Sequence, residues 1–194
     1  MLKQPMSAAN GFPVSSQLLQ SFASPPTFYR IAGPGRLLRL VQLAKITRTG
    51  EVQKQSKFAG DCWFDERLYQ RLRADALAQL AEQNGDGKGV IDYVPRMNLV
   101  GLHMRFPLRD LLAVSSNWNE FNAYVSFSFG LKESVVALVG KTKAQDYYSA
   151  DDPRHETAKR ADVGLLGGED QYIIDFTFPA NQHFQNRIFG PTFF

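Results

Sequence analysis

Phe121-Asn-Ala-Tyr-Val-Ser-Phe-Ser-Phe129 is the stretch whose reading decides the fold. Phe121, Ala123, Val125, Phe127 and Phe129 occupy alternate positions, and alternate side chains of an extended chain point to one face. The stretch therefore reads as a half-buried strand, dry on one side and wet on the other. Downstream, Ser134-Val-Val-Ala-Leu-Val-Gly140 reads as a more deeply buried strand, and Gln171-Tyr-Ile-Ile-Asp-Phe176 as another. Upstream the period changes. Leu68, Leu72, Ala76 and Leu80 recur every four residues with Leu77 beside them, which predicts a helix from about Asp65 to Gln83. Asp65 is its N-cap, Glu66 lies in its first turn, and Asn84-Gly85 stops it. A second helix is predicted from Leu108 to about Ser115. Thr27-Phe28-Tyr29-Arg30-Ile31-Ala32 reads as a short strand ended by Gly33-Pro34-Gly35, and residues 36–46 read equally as helix or strand. The polar segment Asp146–Lys159, with Pro153, reads as a surface loop. Helix early and strands late predict an α+β fold.

The 194 residues fit one domain with room for a real core, and 44% hydrophobic with 21% charged residues is a globular composition. Residues 1–26, rich in Ser, Ala, Gln and Pro, read as a flexible leader or linker, with residues 27–194 as the folded domain. Twenty-two basic against 19 acidic residues leave +3, dispersed along the chain; this suits phosphate contact but does not point to nucleic acid. The single cysteine, Cys62, excludes an internal disulfide. No run reaches the length needed to span a bilayer, and the first residues lack the apolar core of a cleavable signal.

Several familiar sites fail on spacing. Asn84-Gly-Asp-Gly-Lys-Gly89 has the look of a calcium loop, but in that register position 12 is Tyr93, where a bidentate carboxylate is required. His103, His155 and His183 have no ligand spacing, so no metal is expected. Neither a Gly-x-Gly-x-x-Gly nor a Walker loop is present, and Cys62 beside Trp63 and Phe64 reads as packing rather than as a nucleophile.

Four segments carry a combined signal: Phe28-Tyr29-Arg30-Ile31; Gly60-Asp61-Cys62-Trp63-Phe64; Leu111 to Glu120 followed by a strand and Val139-Gly-Lys-Thr-Lys-Ala-Gln145; and Leu165-Leu-Gly-Gly-Glu-Asp-Gln-Tyr172. In this order they resemble the NAD-consuming effector domains of the ADP-ribosyltransferase-like superfamily, over residues 27–176. The resemblance implies a split β-sandwich with helices packed early in the chain, and NAD+ as substrate without a metal.

It also implies roles. Arg30, which alone reads as a water-facing strand arginine, would offer its planar fork to the phosphate or nicotinamide ribose. Tyr29, Trp63 and Phe64 would form an aromatic pocket for the cationic nicotinamide, although Phe64 reads equally as core. Trp118, with Asn117 and Asn119, would lock a helix-to-strand corner, and Gln145 and Lys143 would reach the ligand from a loop mouth. Gln171 stands where many transferases carry a glutamate that holds the ribose hydroxyl as positive charge builds on the anomeric carbon, with Glu169 two residues before it. That departure from Glu-x-Glu favours an NAD+ glycohydrolase, with catalytic residues Gln171, Glu169 and Arg30. The alternatives are a mono-ADP-ribosyltransferase acting on a protein or nucleic acid and a non-catalytic NAD-binding module. The class further implies a toxin made in the cytoplasm and delivered without a signal peptide into a target cell's cytoplasm in bacterial competition. An immunity protein or chaperone is the expected partner; no membrane contact is.

Overall fold

In the computed structural model the described residues are 1–7, 11–12, 14–42, 61–83, 96–114, 123–148, 153–160 and 164–193. Strands β1 (Leu2–Pro5), β2 (Thr27–Ala32), β3 (Gly35–Val41), β4 (Cys62–Asp65), β5 (Ala123–Phe129), β6 (Ser134–Lys141), β9 (Asp170–Ile173) and β10 (Phe189–Phe193) form one sheet. Its order is β1-β2-β6-β9-β4-β3-β5-β10, and each neighbouring pair is antiparallel. A second ribbon pairs β7 (Gln145–Asp146) with β8 (Gly164–Leu165). The helices are α1 (Ser16–Gln20), α2 (Glu66–Gln83), α3 (Arg96–Leu111) and α4 (His155–Arg160). The protein is thus α+β, as its periodicities predict.

The sheet buries both of its faces. On one, Ile31, Val135, Ala137 and Tyr172 from the first half meet Val41, Val125, Phe127 and Phe129 from the second in a single apolar cluster. The alternation in 123–129 is the cause: Val125, Phe127 and Phe129 point inward, while Tyr124 packs on the helix side. On the opposite face, Leu38, Leu40 and Phe64 receive Leu68, Leu72, Ala76 and Leu80 of α2 and Met104, Leu108 and Leu112 from α3 and its end. The four-residue spacing in α2 gives it one apolar stripe, and that stripe is the buried one. The rest of this face, over β2, β6 and β9, is covered by a third cluster in which Phe12 and Phe22 sit on Val136, Leu138 and Ile173.

This third cluster corrects the reading of residues 1–26 as a free leader. β1 pairs residue by residue with β2, Leu2 with Ala32 through Pro5 with Tyr29, and Phe12 and Phe22 are 8% and 5% exposed. A composition of Ser, Ala, Gln and Pro hides two well-placed phenylalanines, and in a short segment two such side chains are enough to dock it. The second helix is also longer than its predicted span: α3 begins at Arg96 and holds Pro107 inside it. That proline masked the upstream turns, since it ordinarily marks a boundary. The segment 146–159, read as loop, contains the first turn of α4.

Asn181 closes the exposed end of β6. It has no solvent exposure; its Oδ1 accepts from the Val136 amide at 2.9 Å, and its Nδ2 donates to the carbonyls of Val136 at 2.8 Å and Asp175 at 3.0 Å. The side chain stands in for the β9 backbone, which ends at Ile173, so the amide and the carbonyl of Val136, which face that edge together, are both satisfied. Asn181→Ala strands these buried groups, and we expect it to lower unfolding free energy by roughly 2–3 kcal/mol in urea titration. A loss under about 0.5 kcal/mol would show that water takes over the role of the amide.

Candidate functional site

Pairing register decides which of the predicted residues share a face. Arg30 lies opposite Val136, and Gln171 opposite Gly140, so both are in step with Leu138, whose partner on the other edge is Ile173. Arg30 and Gln171 therefore project from the same face of the sheet, the one covered by Phe12 and Phe22. Four residues along β6 and two strands across put their Cα atoms about 16 Å apart. That is too far for both to grip one ribose. Between them lie Phe28 and Leu138 under the Phe12 ring, which stands 5.4 Å edge-on to Phe28.

Gln171 is half-buried and sits in a polar cluster that the fold assembles from four separate segments. The first is the glycine pair before β9. Gly167 and Gly168 have φ of +67° and +93°, and a Cβ at Gly167 would stand 2.7 Å from the Thr142 carbonyl. Only glycine fits such a turn. The turn is pinned to the end of α3: the Gly167 amide donates to the Asp110 carbonyl at 2.9 Å and the Leu166 amide to Asp110 Oδ1 at 2.7 Å. It is pinned to the end of β6 as well, because the Thr142 amide donates to the Glu169 carbonyl at 2.9 Å. These bonds fix where Glu169 and Gln171 begin the strand.

The Glu169 carboxylate is not free. Arg71 of α2 donates to it at 2.5 Å, with the carboxylate side chain 25% exposed and the arginine 55%. Gln171 instead faces Ser21 and Cys62. The Ser21 hydroxyl lies 3.3 Å from Gln171 Oε1, but its one proton is better used on the Leu18 carbonyl at 2.6 Å. The Gln171 amide also lies near the Cys62 side chain. Burial pushes the Cys62 thiol up to about 11, and the nearby Arg39 guanidinium, with a weak lowering by Gln171, only partly offsets this. Such a thiol is protonated at neutral pH and is no nucleophile. Beside the cluster, Asp170 holds Lys3 at 2.7 Å and Lys141 at 2.9 Å. Burial acts to raise the Asp170 carboxyl, but the two lysines outweigh it and hold the group below its ordinary value.

The remaining predicted residues lie elsewhere. Trp63 is 1% exposed and points into the inner cluster, with its ring 4.9 Å from Phe127 and 5.6 Å from Phe176. Tyr29 packs against that same inner cluster, on the face away from Gln171, and Phe64 is buried under α2 and α3. The aromatic pocket expected from these three is therefore not formed; strand alternation sends neighbouring aromatics to opposite faces. Gln145 is half-buried in β7, paired with Leu165. Asn117, Trp118 and Asn119, like Asn84–Gly89, lie outside the described residues. Ser21 and Arg71 also belong to the cluster although no motif singles them out, and Cys62, read as a packing residue, joins them. A cavity of about 380 Å³ between Arg36, Asp65, Glu66 and Arg67 includes none of the predicted site residues.

Comparison of the chain with protein-family models, curated proteins and solved structures finds no match.

Proposed function

We propose that the chain is an NAD+ glycohydrolase of the ADP-ribosyltransferase-like kind, in which Gln171 holds a ribose hydroxyl and water receives the ADP-ribose. The observation that carries this reading is the state of the Gln171 carbonyl oxygen. Among the described residues it is met by the Ser21 hydroxyl at 3.3 Å, whose proton is better used on the Leu18 carbonyl, so this half-buried oxygen keeps its capacity to accept from a ligand hydroxyl. A ribose hydroxyl is such a donor. As the bond between nicotinamide nitrogen and the anomeric carbon breaks, its electron pair leaves with neutral nicotinamide and positive charge builds on the ribose. An acceptor held at the 2- or 3-hydroxyl then gains strength. A water oxygen forms the new bond to carbon and loses a proton to solvent. On this reading Arg30, on the same face but about 16 Å away, takes the far phosphate end of the dinucleotide rather than the ribose.

The pairing of Glu169 with Arg71 favours hydrolysis over transfer. A carboxylate that must steer an acceptor side chain has to be open to it, and this one is neutralised within the fold. The split β-sandwich belongs to the same proposal and is consistent with a sheet whose two halves share one core. Delivery into a rival cell and an immunity partner would follow from the activity. No helix among the described residues is long and apolar enough to cross a membrane.

The test is nicotinamide release from NAD+ by the purified chain and by Phe22→Ala, a variant that thins the packing over Gln171. Nicotinamide and ADP-ribose in equal amounts, with no label on lysate macromolecules, are the expected products. Labelled macromolecules would select the transferase. Intact NAD+ at millimolar concentration with either protein, despite measurable NAD+ binding, would select the non-catalytic module.

A further inference from the structure

Resting on that reading of Gln171, we infer that residues 14–23, together with Phe12, form a built-in cover over the site that must lift for NAD+ to enter. The contacts of the segment are directed at the site itself. The Phe22 ring lies on Gly140, the residue paired with Gln171; a Cβ at Gly140 would stand 2.6 Å from that ring, so the strand is bare where the cover lands. The Ser21 hydroxyl stands 3.3 Å from Gln171 Oε1, the atom assigned to the ribose, and takes up the space beside it while its proton serves the Leu18 carbonyl. Phe12 lies on the sheet between Gln171 and Arg30, packing on Phe28 and Phe178 with ring centroids 5.4 and 5.3 Å away, while Arg30 itself is exposed. Cys62, beneath the same cluster, is shielded with it.

The segment is held by an apolar cluster of its own, separate from the inner core, and by a few backbone bonds. Two backbone bonds join the segment to the end of β6, Ala23 amide to Lys141 carbonyl at 2.9 Å and Lys143 amide to Ser21 carbonyl at 2.8 Å. α1 has five residues, too few to be stable by itself, and Leu19 on it is 45% exposed. The segment is bounded by two natural hinges. Gly11 has φ of +81° with nothing within 4 Å of a Cβ there, and Pro25-Pro26 interrupts the line between residues 21–23 and β2. Detaching the segment gives up the outer cluster of Phe12 and Phe22 on Val136, Leu138 and Ile173 but leaves the inner core, whose buried members all lie outside it. A closed site binds substrate only in proportion to its open fraction, so loosening the cover raises apparent activity without altering the chemistry.

Cys62 is the sole thiol in the chain and gives a readout independent of activity. The full-length chain, Phe22→Ala and the milder Leu18→Ala are each treated with an aromatic disulfide reagent, and NAD+ loss is followed in parallel. Near-ultraviolet dichroism shows which variants keep the inner core, and Leu18→Ala carries the test if Phe22→Ala does not fold. We expect labelling and NAD+ loss to rise together, each by about tenfold or more in Phe22→Ala, as an opened fraction requires. Unchanged labelling in folded variants overturns the cover. Faster labelling with NAD+ loss no faster than in the parent overturns its inhibitory role. Faster labelling with no NAD+ loss in any of the three proteins leaves the cover standing and overturns the NAD+ reading of Gln171.

Discussion

Trp63→Ala is expected to destabilise the protein by about 3–5 kcal/mol, the range for deleting a large buried aromatic. Trp63 lies on β4, the strand that joins the two halves of the sheet, pairing with Tyr172 on one side while the next residue, Phe64, pairs with Leu38 on the other. Its ring meets Phe127 at 87° and Phe176 at 74°, edge-to-face contacts that add to the area each buries. Alanine would open a void where both halves converge, and close packing leaves the neighbours little freedom to fill it. For a chain of this length the loss corresponds to a fall in Tm of roughly 10 °C or more. Turnover per folded molecule should hardly change, because the indole faces away from Gln171. A variant that keeps its Tm within about 2 °C but loses affinity for NAD+ would return Trp63 to the nicotinamide pocket suggested by the family resemblance.

The contrast between Trp63 and Gln171 shows what the sequence discloses. Periodicity is a local property, so the strand through Phe127, the strand through Leu138 and the α2 stripe are all readable from spacing alone. So is the glycine pair, since a turn with two positive φ values demands it. Facing is harder. Cys62, Trp63 and Phe64 are consecutive, yet strand alternation sends Trp63 inward and the other two outward, and the direction depends on which residues lie opposite in β9 and β3. The association of Ser21 with Gln171 joins residues 150 positions apart, and that of Arg71 with Glu169 joins residues 98 apart. No local pattern encodes such pairs. The docking of Phe12 and Phe22 is hidden for a related reason: average polarity describes a segment as a whole, whereas docking depends on these two rings finding Val136, Leu138 and Ile173.

Gln171→Ala is expected to reduce NAD+ hydrolysis on the order of 100-fold, the usual loss when one preorganised group at a developing charge is removed. The measurement belongs in the Phe22→Ala background, where the rate is not limited by the cover. Because Gln171 is half-buried and the Ser21 proton serves the Leu18 carbonyl rather than the Gln171 amide, the same substitution should leave the Tm close to that of its parent. This separates the residue from Asn181, whose amide is fully enclosed and whose loss falls on stability. Gln171→Glu sharpens the point: it keeps an acceptor at the same distance from the backbone and adds charge that complements an oxocarbenium-like ribose. It should therefore retain hydrolysis far better than alanine. Glu169→Gln, by contrast, leaves Arg71 without its carboxylate and is expected to act on the position of the β8–β9 turn before it acts on the chemistry. Should Gln171→Ala hydrolyse NAD+ at the parental rate, the carbonyl at the start of β9 is not the ribose acceptor. The polar cluster joining Ser21, Cys62 and Gln171 would then be only the seam along which the cover is held.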